Sequence, residues 1–143
     1  MDKLSESVAQ EAETVCLPGL RQKKVVITAG ASGIGFSIAR FLHAQGAQIA
    51  ICDVDDKALE NAKTHLTGCF ALRADVSDEA DVDVFFNAVA KNFGGLDALI
   101  NNAGIAGPTG KIEELSVAEW RRCIDICLTG QFLCARKAVP LIK

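Results

Sequence analysis

Four apolar, β-branched runs alternate with amphipathic or polar runs along residues 23–143, and each strand-like run is apolar throughout rather than at every second position. This pattern predicts an α/β fold whose parallel strands are buried on both faces. Right-handed crossovers turn such a chain into a doubly wound parallel sheet, and the strand order expected for these four is 3-2-1-4.

The elements follow in order. Residues 1–22 are polar and acidic up to the "PG" turn signal at 18–19 and read as a flexible arm. "KKVVITA" (23–29) is a buried strand. "SGIGFSIARFLHAQ" (32–45) places Ile34, Ile38, Phe41 and Leu42 at helical spacing, and Gly46 stops it. "AQIAICDV" (47–54) is the second strand. "DDKALENAKTHL" (55–66) is a short polar helix capped by Asp55, and "GCFALRADV" (68–76) is the third strand. "SDEADVDVFFNAVAKNF" (77–93) is a helix for which Ser77 is the expected cap; acids fill its first turn and Gly94-Gly95 ends it. "LDALINNAG" (96–104) is a fourth strand that runs into the loop "IAGPTGK". The final run, 116–143, opens with a capping box from Ser116 to Glu119 and continues as one long helix. One domain over residues 23–143 is expected.

Composition narrows the function classes. Half of the 143 residues are hydrophobic, enough for a real core. A net charge of −3 gives no reason to expect nucleic acid or an anionic membrane as partner. No apolar run is long enough to span a bilayer. The first residues lack the basic start, apolar middle and cleavage site of a secretory signal, so a cytoplasmic protein is expected. The six cysteines form no Cys-x-x-Cys pair, and His43 and His65 fall in other segments. Reduced thiols are expected rather than a metal site. Arg121, Arg122, Arg136 and Lys137 read as a solvated helix face rather than a basic patch.

The stretch "TAGASGIG" (28–35) carries the chemistry. Gly30, Gly33 and Gly35 lie between the first strand and the first helix, at the edge where open α/β sheets bind ligands. They let a phosphate approach, and the helix dipole with its free N–H groups favours an anion there. The competing reading is a glycine turn that merely packs a helix on a strand. Asp53, 18 residues beyond Gly35, sharpens the choice. A carboxylate at the end of the second strand can accept from both hydroxyls of an adenosine ribose and would repel a 2′-phosphate. The loop holds no Arg or Lys to offset that repulsion, so NAD is favoured over NADP.

"RADV" (73–76), "NNAG" (101–104) and "LTGQFLCARKAVP" (128–140) then follow in order, and together with the glycine loop the chain resembles the short-chain dehydrogenase/reductase family over about residues 23–143. The resemblance implies a Rossmann-like, NAD-dependent oxidoreductase that interconverts secondary alcohols and ketones. It implies that Ser32, Gly33 and Ile34 line the pyrophosphate, with Ala29 and Gly35 part of the same turn. Asp53 would bind the adenine ribose. Asp75 and Val76 would bracket the adenine. Asn102, Ala103 and Gly104 would pass under the nicotinamide-side ribose, and Ile126 would lie near the nicotinamide.

Two positions depart from the family's pattern. Ala29 stands where glycine is usual. Cys127, in "DICLTG", stands where the family commonly has an Asn that helps position a water in a proton relay. A thiol is a weak donor and a weak acceptor, so Cys127 is expected to be a small buried hydrophobe and not to do the amide's work. The family's Ser and Tyr-x-x-x-Lys have no counterpart here, and the chain contains no tyrosine. The expectation is the cofactor-binding half of such an enzyme, inactive by itself, with a small alcohol or ketone as the complete enzyme's substrate. Its apolar edge strand "LDALINN" and its long helix would be bared, which favours association into a homo-oligomer through the helix and lowers stability. Two alternatives stand beside this: a non-catalytic NAD-binding module, and an interaction protein that uses that edge and helix.

Overall fold

The computed structural model describes residues 17–143. Strand β1 (Lys24–Thr28) is followed by helix α1 (Gly33–Ala44), β2 (Gln48–Asp53), α2 (Asp56–His65), β3 (Phe70–Arg73), α3 (Glu79–Phe93) and β4 (Ala98–Ile100). The last run is helix α4 (Val117–Ile124), a π-helical segment (Asp125–Thr129) and helix α5 (Gly130–Ile142). The four strands are parallel in the order β3-β2-β1-β4, as their apolar runs predicted.

Alternation along β1 and β2 builds two cores. Val25, Ile27, Ile49 and Ile51 point to one face and pack with Ala39 of α1 and Leu59 and Ala62 of α2. Val26, Ala50 and Cys52 point to the other and meet Val82, Phe85, Phe86 and Val89 of α3 and Leu133, Cys134 and Ala138 of α5. Both faces of each central strand are therefore covered, which is why the runs are apolar throughout. Burial pushes the Cys52 thiol up to about 12 and Cys134 up to about 11, so both stay protonated apolar fillers. Two ion pairs reinforce the contact of α3 with α5: Arg136 with Glu79, and Lys137 Nζ with Asp83 Oδ1 at 2.6 Å. Asp83 Oδ1 is shut off from solvent without a hydrogen bond of good geometry, and the Lys137 ammonium compensates its charge.

Local signals predict some ends and miss others. Asp55 caps α2, accepting from Lys57 N and Ala58 N. The Ser116–Glu119 capping box is formed, and Gly94 ends α3 in a left-handed conformation with φ 69°. Ser77 does not cap α3; Asp78 does, accepting from Ala80 N and Asp81 N, because the Ser77 hydroxyl is held by Asp75 at 2.6 Å. The terminal run is not one uniform helix, since the π segment interrupts it. β4 is an edge strand of three half-buried residues, shorter than the apolar run that contains it. Of the expected arm, residues 1–16 lie outside the described residues. Leu17 N donates to Gln45 Oε1 at 2.8 Å and Gln22 N to Gly46 O at 2.8 Å, which ties residues 17–22 to the end of α1.

Candidate functional site

The glycine turn and the carboxyl ends of all four strands meet at one edge of the sheet. α1 starts hard against β1: a Cβ on Gly35 would fall 2.2 Å from Ala29 O and 2.6 Å from Asn102 Nδ2, so no side chain fits there. Gly33 is the opposite case, with φ 53° and open space where a Cβ would stand. Ala29 itself has φ 49°, a left-handed conformation unusual for a residue with a Cβ. Ser32 occupies the N-cap position of α1 without a capping side-chain bond, and Ile34 is 76% exposed.

Thr28 and Asn102 lock this turn to β4. The buried Thr28 hydroxyl oxygen accepts from Asn102 N and Ala103 N, each at 3.0 Å. The Asn102 amide nitrogen donates back to Thr28 O and Ala29 O, each at 3.1 Å. The side chain of Asn102 thus braces the turn, and Asn102 is not part of the cleft wall.

A cleft of about 140 Å³ opens at this edge. Ala29 lines it from the turn, Asp53 and Val54 from the end of β2, and Ala74, Asp75 and Val76 from the segment after β3. Ala103, Gly104 and Ile105 follow β4, and Arg122 and Ile126 reach in from the terminal helix. Seven of the residues singled out in the sequence are therefore brought together: Ala29, Asp53, Asp75, Val76, Ala103, Gly104 and Ile126. Ser32, Gly33, Ile34 and Gly35 stand at the start of α1 and not in the cleft wall.

The two cleft carboxylates are held differently. Asp53 is buried; its Oδ1 accepts from Val54 N at 2.8 Å and Asp55 N at 3.2 Å, and its Oδ2 from Ala31 N at 3.2 Å. With about four acceptor sites on a carboxylate, the remaining capacity lies on Oδ2. Asp75 Oδ1 takes both donors of Ser77, the hydroxyl at 2.6 Å and the backbone N–H at 2.9 Å. The Ser77 hydroxyl bond is the main reason that the Asp75 carboxyl is held below its ordinary range, and the Arg122 charge adds to it.

Sequence reasoning missed Thr28, Arg122, Val54 and Ile105. Arg121, Arg122 and Arg136 are exposed, as a solvated face expects; beyond that reading, Arg122 also lines the cleft, and Arg136 and Lys137 pair with Glu79 and Asp83 of α3. Cys127 also departs from its expected reading. It is half-buried, and its thiol is hydrogen-bonded: Ile105 N donates to Sγ at 3.3 Å, and Sγ donates to Ile105 O at 3.3 Å. Partial burial, then the neighbouring Cys127 thiol, push Cys123 above the ordinary thiol range.

Comparisons with known proteins agree with this architecture. The family model described as short chain dehydrogenase matches residues 23–143. The chain is 44% identical over 121 residues to cis-4-hydroxycyclohexanecarboxylate dehydrogenase of Sinomonas cyclohexanicum, covering 82% of this chain and 49% of that protein. The crystal structure of levodione reductase superposes with a TM-score of 0.81 at 35% identity, over 85% of this chain and 49% of that one. The 3-ketoacyl-(acyl-carrier-protein) reductase from Brucella melitensis, solved with NADH, gives a TM-score of 0.81 at 33% identity, over 85% of this chain and 51% of that one. The chain spans about half the length of the curated relatives it matches. With the family model matched from the first strand onward and the same doubly wound sheet in the solved relatives, the chain belongs to the short-chain dehydrogenase family.

Proposed function

We propose that this chain is the NAD-binding half of an oxidoreductase that interconverts a secondary alcohol and a ketone. The observation that carries the reading is the Asp53 carboxylate at the tip of β2, in one cleft with the glycine turn. The residues present fit a dinucleotide. Gly33 leaves open space at the start of α1, where Ser32, Gly33 and Ile34 would meet the pyrophosphate beside Ala29 and Gly35. The acceptor capacity left on Asp53 Oδ2 suits a ribose hydroxyl and repels a 2′-phosphate, which favours NAD over NADP. Asp75 keeps Oδ2 for a donor on the adenine, beside Val76. The backbone of Ala103 and Gly104 in the cleft wall, with Asn102 just behind it, would run under the second ribose, and Ile126 would stand at the nicotinamide end.

Bound NAD would supply the hydride acceptor. The accompanying proton needs a group of suitable pKa, and the chain has no tyrosine to serve. We therefore expect this chain alone to bind NAD without turning over an alcohol. The reduced carbonyl substrates in the names of the solved relatives, and the NADH in one of them, support the reaction class and the cofactor.

A second copy is the proposed partner of the terminal helix. Trp120, Leu128 and Phe132 form an exposed apolar stripe along it, at 55%, 62% and 59% exposure. No helix of the described residues is long and apolar enough to cross a membrane. The free thiols among the described residues suit a cytoplasmic setting. Calorimetric titration of NAD and NADP into wild type and Asp53→Ala tests the cofactor reading. NAD affinity should fall about tenfold, with the NAD/NADP gap narrowed; an unchanged ratio removes Asp53 from the site.

A further inference from the structure

Between Gly104 and Gly110, Ile105 is the one described residue whose backbone is hydrogen-bonded to the rest of the chain, and both of its bonds go to the Cys127 thiol. Sγ accepts from Ile105 N and donates to Ile105 O, each at 3.3 Å. One side-chain atom thus satisfies both polar groups of one residue in the cleft wall. The same sulfur lies 3.7 Å from where a Cβ on Gly104 would stand. One helical turn earlier, the Cys123 sulfur lies 2.9 Å from the equivalent point on Gly107, whose φ is 75°, so the loop is seated closely along both thiols. The π segment carries Cys127 at its centre. Single π turns inside α-helices are frequent at functional sites.

We propose that Cys127 is a positioning residue that clamps the backbone of Ile105 and thereby sets the cleft wall formed by Ala103, Gly104 and Ile105. The effect on cofactor affinity rests on the NAD-binding reading above; the clamp itself does not. The thiol does its work as a paired donor and acceptor, the two capacities that a single S–H group holds. An amide side chain carries the same two capacities on separate atoms. A valine is larger than the thiol by about one methyl group and an alanine is smaller, and neither carries a donor or an acceptor, so the two bracket the packing. The expected order of function at this position is therefore Cys close to Asn, both above Val and Ala.

The test uses the full chain and the variants Cys127→Asn, Cys127→Val and Cys127→Ala. Amide hydrogen exchange at Ile105 is followed by NMR, and NAD is titrated by calorimetry. In Cys127→Val and Cys127→Ala the Ile105 amide should lose protection, and NAD affinity should fall about five- to tenfold for two lost bonds of this strength. Cys127→Asn should restore both within about twofold, because its amide supplies the donor and the acceptor that valine and alanine lack. Valine serves where the alanine cavity unfolds the helix. Retained Ile105 protection in Cys127→Val overturns the clamp, as does an Asn variant no better than Val. If wild type fails to bind NAD, the cofactor reading falls while the Ile105 protection still decides on the clamp.

Discussion

Replacing Ala29 by glycine should stabilise the protein, although it removes a methyl group. Ala29 has φ 49°, where an L-residue's Cβ crowds the backbone at a cost of roughly 1–2 kcal/mol. Glycine relieves that cost but gives the unfolded chain more freedom, which returns roughly 0.4–1 kcal/mol. The methyl is only half-buried, so its lost packing is small. The net gain is about 0.5–1 kcal/mol, which raises Tm by about 2–4 °C for a domain of this size. Gly33 supplies the opposite case in the same turn. Its φ is 53° and nothing stands within 4 Å of its missing Cβ, so Gly33→Ala meets backbone strain without a steric clash. It should lose about 1 kcal/mol. Urea unfolding followed by circular dichroism, with unchanged m-values, measures both. If Ala29→Gly is neutral or destabilising while Gly33→Ala costs nothing, the left-handed turn is not a source of strain and the reasoning fails.

Two further outcomes are expected. Gly35→Ala would put a Cβ 2.2 Å from Ala29 O, a backbone atom that cannot step aside, so it should cost about 1–3 kcal/mol and weaken NAD in titration; a variant of native stability would refute the close approach of α1 to β1. Ser77→Ala removes the hydroxyl bond that most depresses the Asp75 pKa, so in an NMR titration that pKa should move up toward its ordinary 3.8. Because the folded-state pKa is the lowered one, the stability that this bond contributes is fully present above that ordinary value. It fades as pH falls through the lowered one, so wild type and variant should converge in acid; an unmoved Asp75 pKa would contradict this.

Much of the fold was legible because its signals are local or periodic. Runs buried on both faces announce parallel strands, and Asp55, Gly94 and the Ser116–Glu119 pair act on backbone groups within a few residues. What was missed depends on contacts across the chain. Ser77 and Asp78 are both good caps by type, and the choice between them was made by Asp75, which captured the Ser77 hydroxyl. Arg122 is exposed, and only the folded chain shows that this surface position also borders the cleft that Asp75 lines. The polar partner of Cys127 lies 22 residues away in a loop with no repeating pattern. The acidic residue at the end of β2 was readable in advance because its place in the strand places it at the sheet edge.

The π segment also makes the chain sensitive to its length. Asp125–Thr129 holds one residue more than an α-helix would need, so α4 and α5 run out of phase by about 100°, the rotation per residue of a regular helix. Arg122 lines the cleft ahead of the segment, Ile126 inside it belongs to both cleft and core, and Leu133, Cys134 and Ala138 continue that core after it. A single-codon deletion inside this segment would yield a more regular helix and a wrong protein, because either the cleft or the core must turn away. A change of length here should therefore do more harm than a substitution that keeps the backbone.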